Sequence, residues 1–472
     1  MKQSSYSDLP EVLARSVEEH RQRNAFGTKK NGEWEWMTYG EFGRRVDDFR
    51  GGLAQLGVSQ GDTVAIISAN RSEWAIAAYA TYGLGARFCP MYESQLPKDW
   101  SYIVQDSGAK VLLTSTYQIY EQTRDWPREL DSLQNVFCMA LPTEDVASFE
   151  SVESRGKENP AAAVEIDPEW VCGFIYTSGT TGQPKGVLLS HSNICSNING
   201  VSSYFPIDHS DIAVSFLPWA HSFGQTCELH CLISRGAAMA IAESVEKLVD
   251  NFGEVRPTLM YAVPRIFNRI YDGVLKKMSG GLQRSLLDSA LATSARRKEL
   301  EARGSSSAFV DLKHSFFDKV VLSKIRARFG GRVKYALSGG AALSPDVGQF
   351  IDNLGILVCE GYGLTETSPI ATANRPGARK IGSVGQALPG VRILIDKSVV
   401  DDEDSEDGEI VVIGPNVMKG YHNLPEQTAE VMTEEGGFRT GDLGRLDADN
   451  FLYITGRIKE QYKLENGKYV VP

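Results

Sequence analysis

The sequence predicts an α/β protein built from two helix-covered, mainly parallel β-sheet subdomains and a small antiparallel β-barrel subdomain. Three observations lead there. The chain has 472 residues, more than a single hydrophobic core normally serves. Short apolar runs alternate with stretches of helical periodicity over most of its length, the pattern of parallel strands joined by crossover helices. Beyond about residue 382 the texture changes to short strands separated by turns, which suits antiparallel pairing.

In chain order, Phe42, Val46, Phe49, Leu53 and Leu56 recur at spacings of four and three, one apolar stripe of a helix that should end near Gly57. Thr63–Ile67 follows as a strand. Residues 74–86 carry no charge but fall short of the ~20 residues that cross a bilayer, so they predict a buried helix. Further strand-like runs lie at 111–113, 171–176, 213–217, 259–263 and 333–337, and in the last part at 391–395, 409–413 and around a turn at 447–450. The acidic run 401–407 predicts an exposed turn within that small unit, whose limits are set at about 380–456.

Composition narrows the function classes. Hydrophobic residues at 42% and charged residues at 23% belong to a soluble globular protein. The seven cysteines are odd in number, scattered and set among apolar neighbours, which disfavours a disulfide framework. The first ten residues lack the apolar core of an export signal. These features predict a cytoplasmic protein. The cluster Cys227, His230, Cys231 does not match a zinc site, because no second ligand pair follows at zinc spacing. A net charge of −11 argues against general nucleic-acid binding. Residues 274–334 run the other way, with 14 Lys and Arg against five Asp and Glu. That stretch is either a solvated helical insertion or a surface for peripheral membrane contact at the inner face.

Residues 175–187 crowd glycines, the hydroxyls of Thr177, Ser178, Thr180 and Thr181, and Lys185 into one turn after a strand-like run. Glycines free backbone amides to face an anion, hydroxyls add donors and metal ligands, and lysine adds a point charge. The loop is not a Walker loop, since Lys185 lies between Pro184 and Gly186. The string T-S-G-T-T-G-x-P-K-G resembles, position for position, the phosphate loop of the adenylate-forming superfamily of acyl-CoA synthetases, luciferases and peptide-synthetase adenylation domains. The resemblance covers nearly the whole chain and is greatest to the long-chain fatty acid CoA ligases.

That resemblance implies a role for each of its motifs. Thr177, Ser178, Gly179, Thr180, Thr181, Gly182 and Lys185 would grip the phosphates of ATP. Gly339, Gly340 and Ala341, with Glu360, Gly361, Tyr362 and Gly363, would form the adenine site, Tyr362 stacking on the base. Thr365 and Glu366 would meet the α-phosphate and Mg2+, with Thr177 as the second metal ligand; on its residue type alone Glu366 could equally be a solvated loop acid. Asp442 would accept both ribose hydroxyls, Arg457 would sit near the ribose, and Lys463 near phosphate or ribose. Lys459 would be the pivot of a hinge. His221, in the stretch 217–226, is either a residue beside the acyl group or a satisfied core histidine. Thr177, Lys185, His221, Glu366 and Lys459 are the catalytic candidates.

The reaction so implied is ATP-dependent formation of an acyl-adenylate from a carboxylic acid, followed by transfer to coenzyme A. Amino acids are disfavoured, because residues 215–219 lack the carboxylate that would pair with a substrate amine. A medium- or long-chain fatty acid is expected. The family pattern also divides the chain into an AMP-binding domain at 1–456 and the hinge and start of a further domain at 457–472, from which impaired turnover is expected. Two other functions share the motifs: a fatty acyl-AMP ligase that loads a carrier protein, and a nucleotide- or acyl-binding fragment without catalysis.

Overall fold

A computed structural model describes residues 5–178, 183–400, 405–458, 462–463 and 469–470. Helix Tyr39–Gln55 shows how local chemistry sets the elements. Thr38 and Glu41 form a reciprocal cap: the Glu41 amide donates to Thr38 Oγ1 at 3.2 Å, and the Thr38 amide to Glu41 Oε2 at 2.8 Å. Phe42, Val46, Phe49 and Leu53 are buried along its inner face. The turn after it closes through Gly57, whose φ of +75° favours a residue without Cβ.

Two large sheets result. In the seven-stranded sheet the spatial order is Gly420–Tyr421, Pro184–Ser190, Val171–Ser178, Arg87–Met91, Thr63–Ile67, Ala109–Thr114 and Asn135–Cys138. The nine-stranded sheet runs Gln386–Ala387, Ile370–Ala373, Leu357–Gly363, Tyr335–Ser338, Leu259–Ala262, Ile212–Ser215, Ala238–Ile241, Asn24–Lys30 and Glu33–Thr38. Their centres are parallel; both margins of the nine-stranded sheet and the Gly420–Tyr421 margin of the seven-stranded one are antiparallel, while Asn135–Cys138 pairs parallel at its other edge. Successive residues of a central strand face different cores, the period-2 alternation of a sheet covered on both sides. Val64 and Ile66 join the core shared with the other sheet, while Ala65 and Ile67 face an outer cluster with Trp100, Ile103 and Trp126. Likewise Ala213 and Leu259 face the shared core, and Val214 and Met260 face Phe252, Phe267, Leu287 and Phe317.

The uncharged run near residue 74 is helix Ser72–Gly83, in which every residue except Glu73 is buried. Among the described residues no helix is long and apolar enough to cross a membrane. The small unit is antiparallel, with strand order Arg392–Asp396, Gly408–Ile413, Phe438–Leu446, Leu452–Arg457. It corrects the expected barrel. Among the described residues the two outer strands do not pair with each other, so the sheet is open; four strands are too few to enclose an interior of side chains. Of the acidic stretch 401–407, residues 401–404 lie outside the described residues.

Helix Tyr39–Gln55 crosses helix Phe149–Glu158 so closely that a Cβ on Gly156 would overlap the backbone of Asp48 and Gly52, and one on Gly52 would overlap Val152. Phe49 stacks on Phe149 beside this crossing, with ring centres 4.2 Å apart. Gly156→Ala and Gly52→Ala are each expected to lower unfolding free energy by about 1–3 kcal/mol through overpacking. Gly273→Ala, in helix Pro264–Lys277 where a Cβ meets nothing within 4 Å, is expected to stabilise by about 0.5–1 kcal/mol. Urea unfolding of the three variants checks both signs.

Candidate active site

A cavity of about 370 Å³ opens at the carboxyl ends of strands Tyr335–Ser338 and Leu357–Gly363, the end at which open α/β sheets bind ligands. Gly339 and Gly340 follow the first strand directly and line the cavity. Gly340 has φ +83°, and a Cβ on Gly339 would lie 3.3 Å from the Phe223 ring. Gly361, Tyr362 and Gly363 line it from the second strand, and a Cβ on Gly363 would overlap Pro369. Ala341 and Glu360 are not part of the lining. Glu360 Oε1 instead accepts from the Leu343 amide at 2.9 Å, tying down the glycine turn from behind. Burial pushes its carboxyl up to about 7, and that amide pulls it back in part.

The small sheet supplies the next pair. Asp442 and Arg457 face each other across strands Phe438–Leu446 and Leu452–Arg457. Arg457 Nε lies 3.0 Å from Asp442 Oδ1, and the Tyr362 hydroxyl donates to Asp442 Oδ2 at 2.7 Å. Asp442 is 5% exposed. Burial and the adjacent carboxylate hold the Tyr362 phenol well above its ordinary pKa, so it stays a donor.

Strands Val171–Ser178 and Pro184–Ser190, on either side of the glycine- and hydroxyl-rich stretch, pair antiparallel, and helix His191–Tyr204 begins only after the second strand. Thr177 and Lys185 are cross-strand partners, and Thr177 lines the cavity. Gly179, Thr180, Thr181, Gly182 and Lys459 lie outside the described residues, and of Ser178 and Lys463 only the backbone is described. Strand Gly420–Tyr421 pairs with Pro184–Ser190, setting Tyr421 beside Val187. The Tyr421 hydroxyl then donates to Glu366 Oε1 at 2.8 Å, and Lys185 Nζ lies 5.2 Å from the centre of the Tyr421 ring. Desolvation raises the Glu366 carboxyl pKa, opposed by its own amide, by Tyr421 and by Lys185. Glu366 lines the cavity, and its Oε2 is not engaged by Tyr421.

The remaining wall comes from residues 218–230. His221 stands at the rim with its side chain open to solvent; its Nδ1 accepts from the Phe223 amide at 3.1 Å, and the surrounding protein lowers its imidazole pKa. Ser222 approaches Thr365, hydroxyl to hydroxyl, at 3.4 Å. A π-helix, Phe223–His230, carries Phe223 and Cys227 into the lining. Gly224 is required at its start, since a Cβ there would overlap the Pro218 carbonyl. Glu228 points away from the cavity, accepting from Ser215 Oγ at 2.7 Å and Trp219 Nε1 at 3.2 Å, and burial raises its pKa to about 8. His230 Nδ1 is 2.9 Å from the Tyr79 hydroxyl.

The cavity therefore has two characters. Thr177, Ser222, Thr365, Glu366 and Arg457 make a polar end, while Val201, Phe205, Phe223, Leu337 and Ile370 make an apolar one. Thr177, His221, Gly339, Gly340, Gly361, Tyr362, Gly363, Thr365, Glu366 and Arg457 are brought around one space, with Asp442 and Lys185 one contact behind it. Sequence reasoning missed Tyr421 and Ser222. Ser222 adjoins His221 and falls inside a stretch already singled out; Tyr421 sits in a two-residue strand, too short for periodicity to register, and its signal is the neighbouring Gly420 at φ +133°.

Comparison with known proteins agrees with this geometry. The family described as AMP-binding enzyme matches residues 13–422. Long chain acyl-CoA synthetase 7, peroxisomal, of Arabidopsis thaliana is 32% identical over 99% of this chain and 70% of its own length. The long-chain-fatty-acid–CoA ligase FadD15 of Mycobacterium tuberculosis is 33% identical over 94% of this chain and 73% of its own. Among solved structures, the N-terminal domain of FACL13 from Mycobacterium tuberculosis has TM-score 0.74 at 22% identity, covering 95% of this chain and 99% of that one. Apo MatB from Rhodopseudomonas palustris has TM-score 0.76 at 24% identity over 99% and 81%. Those two likenesses are of fold.

Glu228 gives the wall a pH dependence. Its carboxyl has pKa about 8 when folded against an ordinary 4.5, so its contribution to stability is complete below 4.5 and is lost as pH rises toward 8. Between pH 6 and pH 9 the native chain is expected to lose about 2–3 kcal/mol relative to Glu228→Gln. Paired denaturant melts of the two proteins at each pH read the difference; a gap independent of pH would mean the carboxyl is ionised throughout.

Proposed function

The chain belongs to the AMP-binding enzyme family, and from that premise we propose that it activates a fatty acid with ATP to an acyl-adenylate and passes the acyl group to coenzyme A. The observation that carries this reading is the two-ended cavity, where phosphate and carboxylate binders meet a wall without a counter-charge. ATP lies with its adenine against Tyr362 and the 339–340 turn, its ribose on Asp442 and Arg457, and its phosphates between Thr177, Lys185 and Thr365. The acid lies with its carboxylate at that polar end and its chain against Val201, Phe205, Phe223 and Ile370.

The Thr177 hydroxyl and the Glu366 carboxylate are hard oxygen donors of the kind magnesium takes, and Tyr421 engages only the Oε1 of that carboxylate. When bound, the ion supplies charge neutralisation on the phosphates. The residues hold that arrangement. Lys185 adds positive charge, and Tyr421 fixes both Lys185 and Glu366. A carboxylate oxygen attacks the α-phosphorus, the bond to the β-phosphate oxygen breaks, and pyrophosphate leaves with the electron pair. The coenzyme A thiolate then attacks the acyl carbon, and AMP leaves. No protein nucleophile is needed, so the work is alignment and stabilisation of developing charge. His221, neutral at physiological pH, borders the acyl carboxylate without adding charge. We place the activity in the cytoplasm, on the support of seven buried cysteines of which none is disulfide-bonded.

The test is pyrophosphate release from MgATP with and without palmitate. Palmitate is expected to stimulate release, and phenylalanine is not. Glu366→Gln should lower the stimulated rate by about 100-fold or more while ATP still binds by calorimetry. Tyr421→Phe, which removes one hydrogen bond to a charged group, should cost roughly tenfold. Release that palmitate does not change, or a Glu366→Gln protein as fast as the original, overturns the proposal.

A further inference from the structure

Residues 274–334 form a helical layer on the outside of the nine-stranded sheet, anchored inward by Val274, Leu287, Ala290, Phe317, Val321 and Leu322. Its outward surface is unusual in two respects. All five acidic side chains are engaged by arginines: Asp288 by Arg284, Glu299 by Arg296 and Arg303, Glu301 and Asp311 by Arg297, and Asp318 by Arg326. The exposed lysines Lys276, Lys277, Lys313, Lys319 and Lys324 form no ion pair among the described residues. The remaining charge is therefore positive, in a chain whose net charge is −11.

The second respect is apolar. Helix Ala308–Phe317 exposes Phe309 at 74%, Leu312 at 72% and Phe316 at 58%, and Leu282 stands 78% exposed at the start of helix Gly281–Ala302. Positions 309, 312 and 316 are spaced three and four apart and share one helix face, which Lys313 flanks and Lys319 prolongs. Single exposed apolar side chains are ordinary; an aromatic stripe bordered by unpaired lysines is the composition of an interfacial helix.

We propose that this outer face, Leu282, Phe309, Leu312 and Phe316 with Lys313 and Lys319, docks on an anionic lipid surface. Two parts of the chemistry select that partner. Lysine ammonium groups meet lipid phosphates while their methylene stems lie along apolar surface, and the three side chains of one helix face enter the headgroup boundary. A nucleic acid would satisfy the lysines but leave Phe309, Leu312 and Phe316 in water. The inference stands apart from the ligase reading, because its test measures partition and not turnover.

Flotation with vesicles of phosphatidylcholine alone and of phosphatidylcholine with phosphatidylglycerol tests it. The chain should float with the anionic vesicles, weakly or not at all with the neutral ones, and less as sodium chloride rises. One lysine at an anionic surface is worth about a fivefold change in partition, so Lys313→Glu with Lys319→Glu should reduce binding by more than tenfold. Phe309→Ser with Phe316→Ser should also release the protein, through lost insertion. These exposed positions lie away from the cavity, so both variants should keep the native melting profile and acid-dependent pyrophosphate release. Equal flotation of native and variant chains overturns the proposal. So does a native dimer in solution that the same variants dissociate, which would make the face a contact between copies of this chain.

Discussion

The pairing of a two-residue edge strand, Gly420–Tyr421, with strand Pro184–Ser190 is the contact on which the polar end of the cavity depends. It joins three stretches far apart in sequence: the phosphate hairpin, the segment around Glu366, and the lead into the small sheet. Backbone bonds fix the Tyr421 Cα beside Val187, and the His422 amide adds a bond to the Gly186 carbonyl at 2.8 Å. From there the phenol can reach Glu366 while its ring faces Lys185. The Glu366 carbonyl meanwhile accepts from the Met418 amide at 2.9 Å, so the acid is held through its backbone and its side chain by the same strand region. A buried glutamate cannot rely on its own electrostatics to keep its place. The geometry must come from bonds of this kind.

Four buried or half-buried carboxyls around the cavity show how environment separates roles that residue type does not. Asp442 keeps an arginine at 3.0 Å and a phenol at 2.7 Å. Glu366 has its pKa raised by desolvation, opposed by its own amide, by Tyr421 and by Lys185 nearby. Glu360, raised to about 7, holds a backbone amide and shapes the glycine turn at a distance. Glu228, raised to about 8 among apolar neighbours, is a buried acid that props Ser215 and Trp219. Two of these lie at the cavity or one contact behind it and two support its walls, a distinction invisible in four similar letters.

Much of the architecture was legible because burial on both faces leaves a strong mark. In strand Thr63–Ile67, residues 64–67 are an unbroken apolar run because the strand's neighbours on either side and its two covering layers leave no polar position there. Helix Tyr39–Gln55 was readable from its stripe and its cap. The small unit was less so: Arg392–Asp396 is exposed or half-exposed, and alternation in four short strands cannot say whether their outer edges meet. At the site, motif strings located the glycine turns, Glu366 and Asp442, since a close approach or positive φ restricts the residue type. Tyr421 escaped for the opposite reason. Its function comes from a strand pairing across more than 230 residues, and no local pattern encodes that distance.

The same contrast between local and long-range causes bears on which acids the cavity can accept. Val201 and Phe205 come from helix His191–Tyr204, Phe223 and Cys227 from the π-helix, and Leu337 and Ile370 from two strands of the nine-stranded sheet. Four elements thus converge on one apolar surface, and Glu228, an acid on the π-helix itself, is turned the other way, its Oε2 accepting from Ser215 and Trp219. An α-ammonium group placed beside the reacting carboxylate would be desolvated against this wall with no partner on it, at a cost of several kcal/mol. A methylene chain meets no such penalty and gains about 0.8 kcal/mol for each CH2 removed from water. Glu228 therefore leaves this apolar wall without a charge, an orientation that goes with the local winding of the π-helix and the close approach at Gly224.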